Sequence, residues 1–179
     1  MPDQLKGFFG VGVERISKPM NLGNLFRSAH AFGASFLFTI NAQYSRKTAR
    51  SDTSVAFESL PTWRYDAPEE LDLPRGCALV GVELTDDAVA LPSFRHPRQA
   101  AYVFGPERGS LSPVLLDKAE FVVKIPTKFC INLASAGVVV MYDRMISLGR
   151  FAERPVTPHG GATELPKHVH GGKISHLGG

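Results

Sequence analysis

Five short, densely apolar runs alternate with stretches of helical spacing, and this alternation limits the folds open to the chain more than any other feature. Residues 7–13 (GFFGVGV), 35–40 (SFLFTI), 77–84 (CALVGVEL), 100–104 (AAYVF) and 120–125 (EFVVKI) read as strands. A strand with one wet face alternates apolar and polar residues. These runs do not, so both of their faces are expected to be covered. Residues 21–32 have helical spacing, with Asn21 as the expected N-cap and Gly33 as terminator. Ser112-Pro113 opens a short helix, and Asn132 begins the longest helical run, to about Gly149. Patterning is weak between residues 41 and 74, with short helical stretches near 52–59 and 68–71. The expected fold is α/β, a mainly parallel sheet flanked by helices.

The 179 residues, 44% of them apolar, suffice for one domain with a full core. That domain is expected over residues 1–151. Residues 152–179 are rich in Pro, Gly and His, contain no Phe, Tyr or Trp, and are expected to form an extended or disordered tail. Twenty Lys+Arg against 17 Asp+Glu leave a charge of +3, which excludes a polyanion or polycation and leaves room for a basic face. No run approaches the roughly 18 apolar residues of a membrane span, and the first residues lack the pattern of a signal peptide. Cys77 and Cys130 are far apart, which argues against a disulfide scaffold or a cysteine zinc site. The tail histidines His159, His168, His170 and His176 have no zinc spacing. A soluble, cytoplasmic protein without membrane or metal partners is expected. Trp63 and Tyr65 are assigned to core or edge packing.

Three segments could carry chemistry. On a helix over 21–32, Leu22, Leu25, Phe26, Ala29 and Phe32 share one face, while Asn24, Arg27 and Ala31 fall on the opposite one. That polar face fits a solvated surface with an ordinary cap, or an anion site beside free helix N–H groups. Phe104-Gly105-Pro106-Glu107-Arg108-Gly109 follows a strand directly. Its two glycines allow either a plain turn or close approach of backbone to a ligand. It is neither a dinucleotide fingerprint nor a P-loop. The third segment runs from Ile125-Pro126 to Asn132-Leu133-Ala134 and leads into a helix that is apolar nearly all round, as for burial in the core or at a subunit interface.

In this order, the three segments resemble the motifs of the SPOUT methyltransferases, specifically the SpoU/TrmH branch of RNA ribose 2′-O-methyltransferases. The matching stretches are Asn21-Leu22-Gly23-Asn24-Leu25-Phe26-Arg27-Ser28-Ala29, Gly105-Pro106-Glu107-Arg108-Gly109-Ser110-Leu111, and Ile125-Pro126 through Asn132-Leu133-Ala134, within a resemblance over about residues 7–150. The resemblance implies a C-terminal trefoil knot, a homodimer, S-adenosylmethionine as cofactor and tRNA or rRNA as substrate, with a slight preference for tRNA. Carried over by position, Arg27 matches the catalytic arginine and Asn21 its supporting asparagine. Glu107 and Asn132 match polar residues of the same site. Val82, Glu83, Gly105, Ile125, Cys130 and Leu133 match positions around the cofactor. Cys130 stands where the family usually has Ser, and the loop from Pro126 to Asn132 is shorter than common. A non-catalytic RNA-binding module of the same fold and a base-methylating SPOUT enzyme are the alternatives. The joint presence of Asn21, Arg27, Glu107 and Asn132 argues against the first.

Deprotonating a guanidinium near neutral pH costs about 8 kcal/mol. The role expected of Arg27 is therefore to stabilise developing alkoxide charge and clamp a phosphate, with proton removal by phosphate, water or transiently neutral arginine. Asn24, Arg46, Lys47 and Arg50 are the expected RNA contacts.

Overall fold

In the computed structural model, residues 7–42, 56–154 and 157–165 are described. The elements in chain order are β1 (Phe8–Glu14), α1 (Pro19–Ala31), β2 (Phe36–Ile40), α2 (Ala56–Ser59), β3 (Thr62–Tyr65), β4 (Ala78–Val82), β5 (Val89–Ala90), β6 (Gln99–Phe104), α3 (Pro113–Lys118), β7 (Phe121–Lys124) and α4 (Leu133–Leu148). The seven strands make one sheet in the order β3-β2-β1-β6-β4-β7-β5, with every pairing parallel.

Both sides of the central strands are dry, which accounts for the unbroken apolar runs. Val11, Val13, Leu37, Val80, Tyr102 and Phe104 face a core completed by Leu22, Leu25 and Phe26 of α1 and by Val140 and Met141 of α4. Phe36, Phe38, Ile40, Leu79, Ala101 and Val103 face the other core, with Leu111 and Leu115. On that second side Gly10 and Gly12 pair with Phe36 and Phe38. A Cβ on either glycine would meet the neighbouring ring at 2.1 or 2.2 Å, so the phenyl groups lie across β1 where its side chains are missing.

The middle region holds a strand that its sequence does not announce. Thr62, Trp63 and Arg64 of β3 are exposed because β3 is an edge strand. Trp63 packs on Phe36 at 4.8 Å between ring centroids, which is edge packing as expected. Helix α1 starts at Pro19, not at Asn21: Pro in the first turn sets the helical φ, and Lys18 is the N-cap without a side-chain cap. Asn21 is thereby freed for other bonds. Residues 152–154 and 157–165 carry no helix or strand.

At the amino ends of the strands lies a polar cluster that periodicity does not reveal. Arg144 of α4 is 2% exposed and donates to the carbonyls of Pro97 (2.6 Å), Arg98 (2.8 Å) and Phe8 (3.4 Å) and to the Tyr102 hydroxyl (3.1 Å). The Tyr102 hydroxyl lies 2.6 Å from His96 Nδ1, and His96 Nε2 lies 2.8 Å from Asp143. Neutral His96 satisfies the whole chain: Arg144 donates to Tyr102, Tyr102 to Nδ1, and Nε2–H to Asp143. Burial pushes the His96 imidazole below its ordinary value, against the upward pull of Asp143. Just below the ordinary value of about 6.5, the unfolded chain therefore binds more protons than the folded one. The stabilisation from neutral His96 is complete above about pH 6.5 and is lost as pH falls through that window. Urea midpoints at about pH 7.5 and pH 5 should differ more for the wild type than for His96→Gln. Equal losses in the two chains would show that His96 is not the responsible group.

Candidate active site

The carboxyl ends of β6, β4 and β7 are level, because Val82 pairs with Phe104 on one side and Val123 on the other. The segments leaving these strands emerge side by side and enclose a cavity of about 200 Å³. Val82, Glu83, Gly105, Ile125, Cys130 and Leu133, the six positions matched to cofactor contacts, all line it, as does Glu107. Leu84, Phe104, Ile131 and Ala136 add an apolar wall that sequence reasoning did not assign, although each adjoins a matched segment. Lys124 also lines the cavity, but its ammonium is committed to the carbonyls of Thr85 and Asp86, both at 2.9 Å.

Glu83 builds the cavity wall. Its carboxylate accepts the N–H of Leu84 at 2.9 Å and that of Leu111 at 2.8 Å, tying the end of β4 to the turn after β6. Gly105 sits under this tie, where a Cβ would approach the Leu111 nitrogen to 3.2 Å and the Glu83 carboxylate to 3.4 Å.

The three distant segments are joined by side-chain amides. Asn132 caps α4: its Oδ1 accepts from Ala134 N at 2.9 Å and Ser135 N at 3.4 Å. That orientation turns its Nδ2 to Asn21 Oδ1, at 3.3 Å. Asn21 in turn donates from Nδ2 to Glu107 Oε1 at 3.0 Å, and Glu107 keeps its second oxygen free of any protein bond among the described residues. One polar line thus crosses from α4 through α1 to the turn after β6.

Arg27 is exposed on α1, six residues beyond Asn21 or about 9 Å along the axis, and it does not line the cavity. Its guanidinium makes no hydrogen bond or ion pair among the described residues. Asn24 is likewise exposed. Arg46, Lys47 and Arg50 lie outside the described residues, as do His168, His170 and His176. Among the described residues, no three His, Cys, Asp or Glu side chains are grouped to hold a metal ion, and no helix is long and apolar enough to cross a membrane.

The chain is an open parallel α/β protein with a crevice at the carboxyl edge of its sheet, closed by a helix N-terminus and two strand-following turns, the place where such folds commonly bind ligands. The model of the SpoU rRNA methylase family matches residues 9–142, and the chain belongs to that family. It is 29% identical over 164 residues to the 23S rRNA (uridine(2479)-2′-O)-methyltransferase of Streptomyces viridochromogenes, a match covering 83% of this chain and 56% of that protein. It is 26% identical over 137 residues to a tRNA (guanosine(18)-2′-O)-methyltransferase of Mus musculus, covering 72% of this chain and 9% of the relative. The chain therefore spans about half of the first relative's length and a small part of the second's. Among solved structures, the SpoU methyltransferase AviRb from Streptomyces viridochromogenes in complex with AdoMet superposes with a TM-score of 0.67 at 26% identity, covering 79% of this chain and 62% of that one.

Proposed function

We propose that this chain is an S-adenosylmethionine-dependent enzyme that methylates a ribose 2′-hydroxyl of tRNA or rRNA. The observation that carries the reading is the Asn132–Asn21–Glu107 line, which joins three segments beside one cavity. The cavity suits the cofactor. Its apolar wall of Val82, Ile125, Ile131 and Leu133 can hold a purine ring, and the tight turn at Gly105 brings backbone to its edge. When bound there, the cofactor supplies a methyl group activated on a sulfonium. The two relatives named as 2′-O-methyltransferases and the AdoMet-bound neighbour support the same assignment.

The chain's own residues then have three tasks. Asn132 and Asn21 hold the Glu107 carboxylate at the cavity mouth, and Glu107 orients the sugar by accepting from a hydroxyl through its second oxygen. Presenting that hydroxyl in line with the methyl group can lower the barrier by about 7–11 kcal/mol. Arg27⁺ stabilises charge on the ribose oxygen as its proton passes to the neighbouring phosphate or to water, while holding that phosphate. Asn24, Arg46, Lys47 and Arg50 belong to the RNA-contacting surface of the proposal.

The trefoil threading of the last elements, a cytoplasmic site of action and a homodimer are parts of the same reading. For the dimer, the support is on α4. Val138, Val139, Tyr142 and Ile146 are 37–46% exposed and fall within about 100° of helix surface, so the all-round apolarity of this helix is not used up by packing among the described residues. Calorimetry with S-adenosylmethionine, followed by mapping of 2′-O-methyl groups in RNA incubated with protein and cofactor, tests the function. A saturable heat and a new ribose methyl are expected. RNA binding without cofactor binding would establish a non-catalytic module, and a methyl on a base would establish the base-methylating alternative.

A further inference from the structure

A second hollow lies against the first. It measures about 360 Å³ and is lined by Arg15, Ser17, Lys18, Pro106, Glu107 and Arg108. Pro106 and Glu107 also line the cofactor cavity, so these two residues form a shared wall between the hollows. The placement follows from strand register: Val13 of β1 pairs with Phe104 of β6, and the segments leaving both strands therefore run next to each other.

Three cations converge here. Arg15 has a φ of 53°, a left-handed conformation that costs a non-glycine residue of order 1 kcal/mol and persists only where the surroundings enforce it. Its N–H donates to the Ile40 carbonyl at 2.8 Å, and the next residue, Ile16, is fully buried. The turn sends the guanidinium over the loop after β6, where Nη2 donates to the Ser110 carbonyl and lies 3.8 Å from the Glu14 carboxylate. Glu14 is 1% exposed and also accepts the Ser112 N–H at 2.7 Å. Arg15 is thus oriented in advance, while its buried Nε has no partner among the described residues. Lys18 and Arg108 are exposed, and their side chains make no hydrogen bond or ion pair among the described residues. Among the described residues, the one carboxylate lining the hollow is Glu107, half committed to Asn21.

We propose that this hollow is a binding site for the phosphodiester backbone of the substrate RNA, held by Arg15, Lys18 and Arg108 so that the adjoining ribose meets the shared Pro106–Glu107 wall. The inference rests on the methyltransferase reading and adds to it where the polynucleotide enters. An oxyanion could also come from the carboxylate of the cofactor's amino-acid part. Three cations around an open hollow suit a run of phosphates better than one carboxylate, and the two sources separate experimentally.

The double variant K18A/R108A changes only exposed side chains, and Arg15→Gln is the companion that tests the oriented guanidinium. Affinity for fluorescently labelled unfractionated tRNA is read by anisotropy over a series of KCl concentrations, and affinity for S-adenosylmethionine by calorimetry. Losing two phosphate contacts should lower the slope of log K against log[KCl] by about 1.5 and weaken RNA binding about tenfold or more at low salt. Cofactor affinity should be unchanged, and Arg15→Gln should weaken RNA binding in the same direction. Unaltered RNA affinity and slope in both variants would overturn the proposal, as would wild-type chain that binds this RNA without salt dependence or not at all. Weakened cofactor binding with RNA binding intact would overturn it in favour of the carboxylate. Failure of the methyltransferase reading itself looks different, because the wild-type chain would then neither bind the cofactor nor transfer its methyl group.

Discussion

Replacing Arg27 by alanine is expected to lower kcat for the proposed ribose methylation by about 10²–10³-fold, the usual cost of removing a group that stabilises developing oxyanion charge. Fold and cofactor binding should be untouched. Arg27 is exposed and lies outside the cavity lining, so the change in stability should stay within about 0.5 kcal/mol. Arg27→Lys separates two parts of the role. It keeps a positive charge near the ribose oxygen but loses the planar fork that grips phosphate, so it should recover part of kcat while KM for RNA remains raised. Turnover retained in the alanine variant, with RNA binding intact, would remove Arg27 from the chemistry and leave the Asn21–Glu107–Asn132 line to account for it.

The largest loss of stability is expected from Arg144→Ala. Its guanidinium satisfies three backbone carbonyls and the Tyr102 hydroxyl, and it lies 5.2 Å from the centre of the Phe9 ring. Hydrogen bonds from a charged group contribute about 1.5–3 kcal/mol each, but water entering the vacated space recovers part of that. Its buried Nε meets no acceptor among the described residues and adds nothing to that sum. A net loss of about 3–4 kcal/mol follows. For a chain of this size that corresponds to a fall in Tm of roughly 6–16 °C. Arg144→Lys should fall between wild type and alanine, since an ammonium cannot span carbonyls on β1 and before β6 together. A loss below about 0.5 kcal/mol for the alanine variant would mean that the cluster adds nothing net to the fold.

The parallel sheet was readable because its central strands are dry on both sides and wrote that fact into runs such as SFLFTI and AAYVF. Short edge elements were not. In β3, Thr62, Trp63 and Arg64 face solvent, and β5 is two residues long, so neither leaves a periodic trace. The start of α1 is two residues earlier than an Asn cap suggests, because Pro19 sets the first helical φ behind an N-cap at Lys18, and Asn21 is spent on Glu107 instead. Residues around the cavity were legible through motif order. Arg15 and Lys18 were not, since a cation just after a strand looks like any other surface charge until β6 is placed beside β1. Arg144 is the extreme case, because a charged residue in an apolar helix normally points to water, and only the tertiary fold supplies four acceptors for it.

Helix α4 begins with the amide that links the three segments and, twelve residues or about 18 Å later, carries the arginine clamped to the opposite rim of the sheet. It works as a tie-rod between the proposed reaction centre and a remote anchor. Damage at the anchor will therefore surface as lost turnover in any screen that scores methylation alone, and Arg144 would be mistaken there for a residue that touches the RNA. Measuring melting and turnover on the same preparations keeps the two ends of the rod apart.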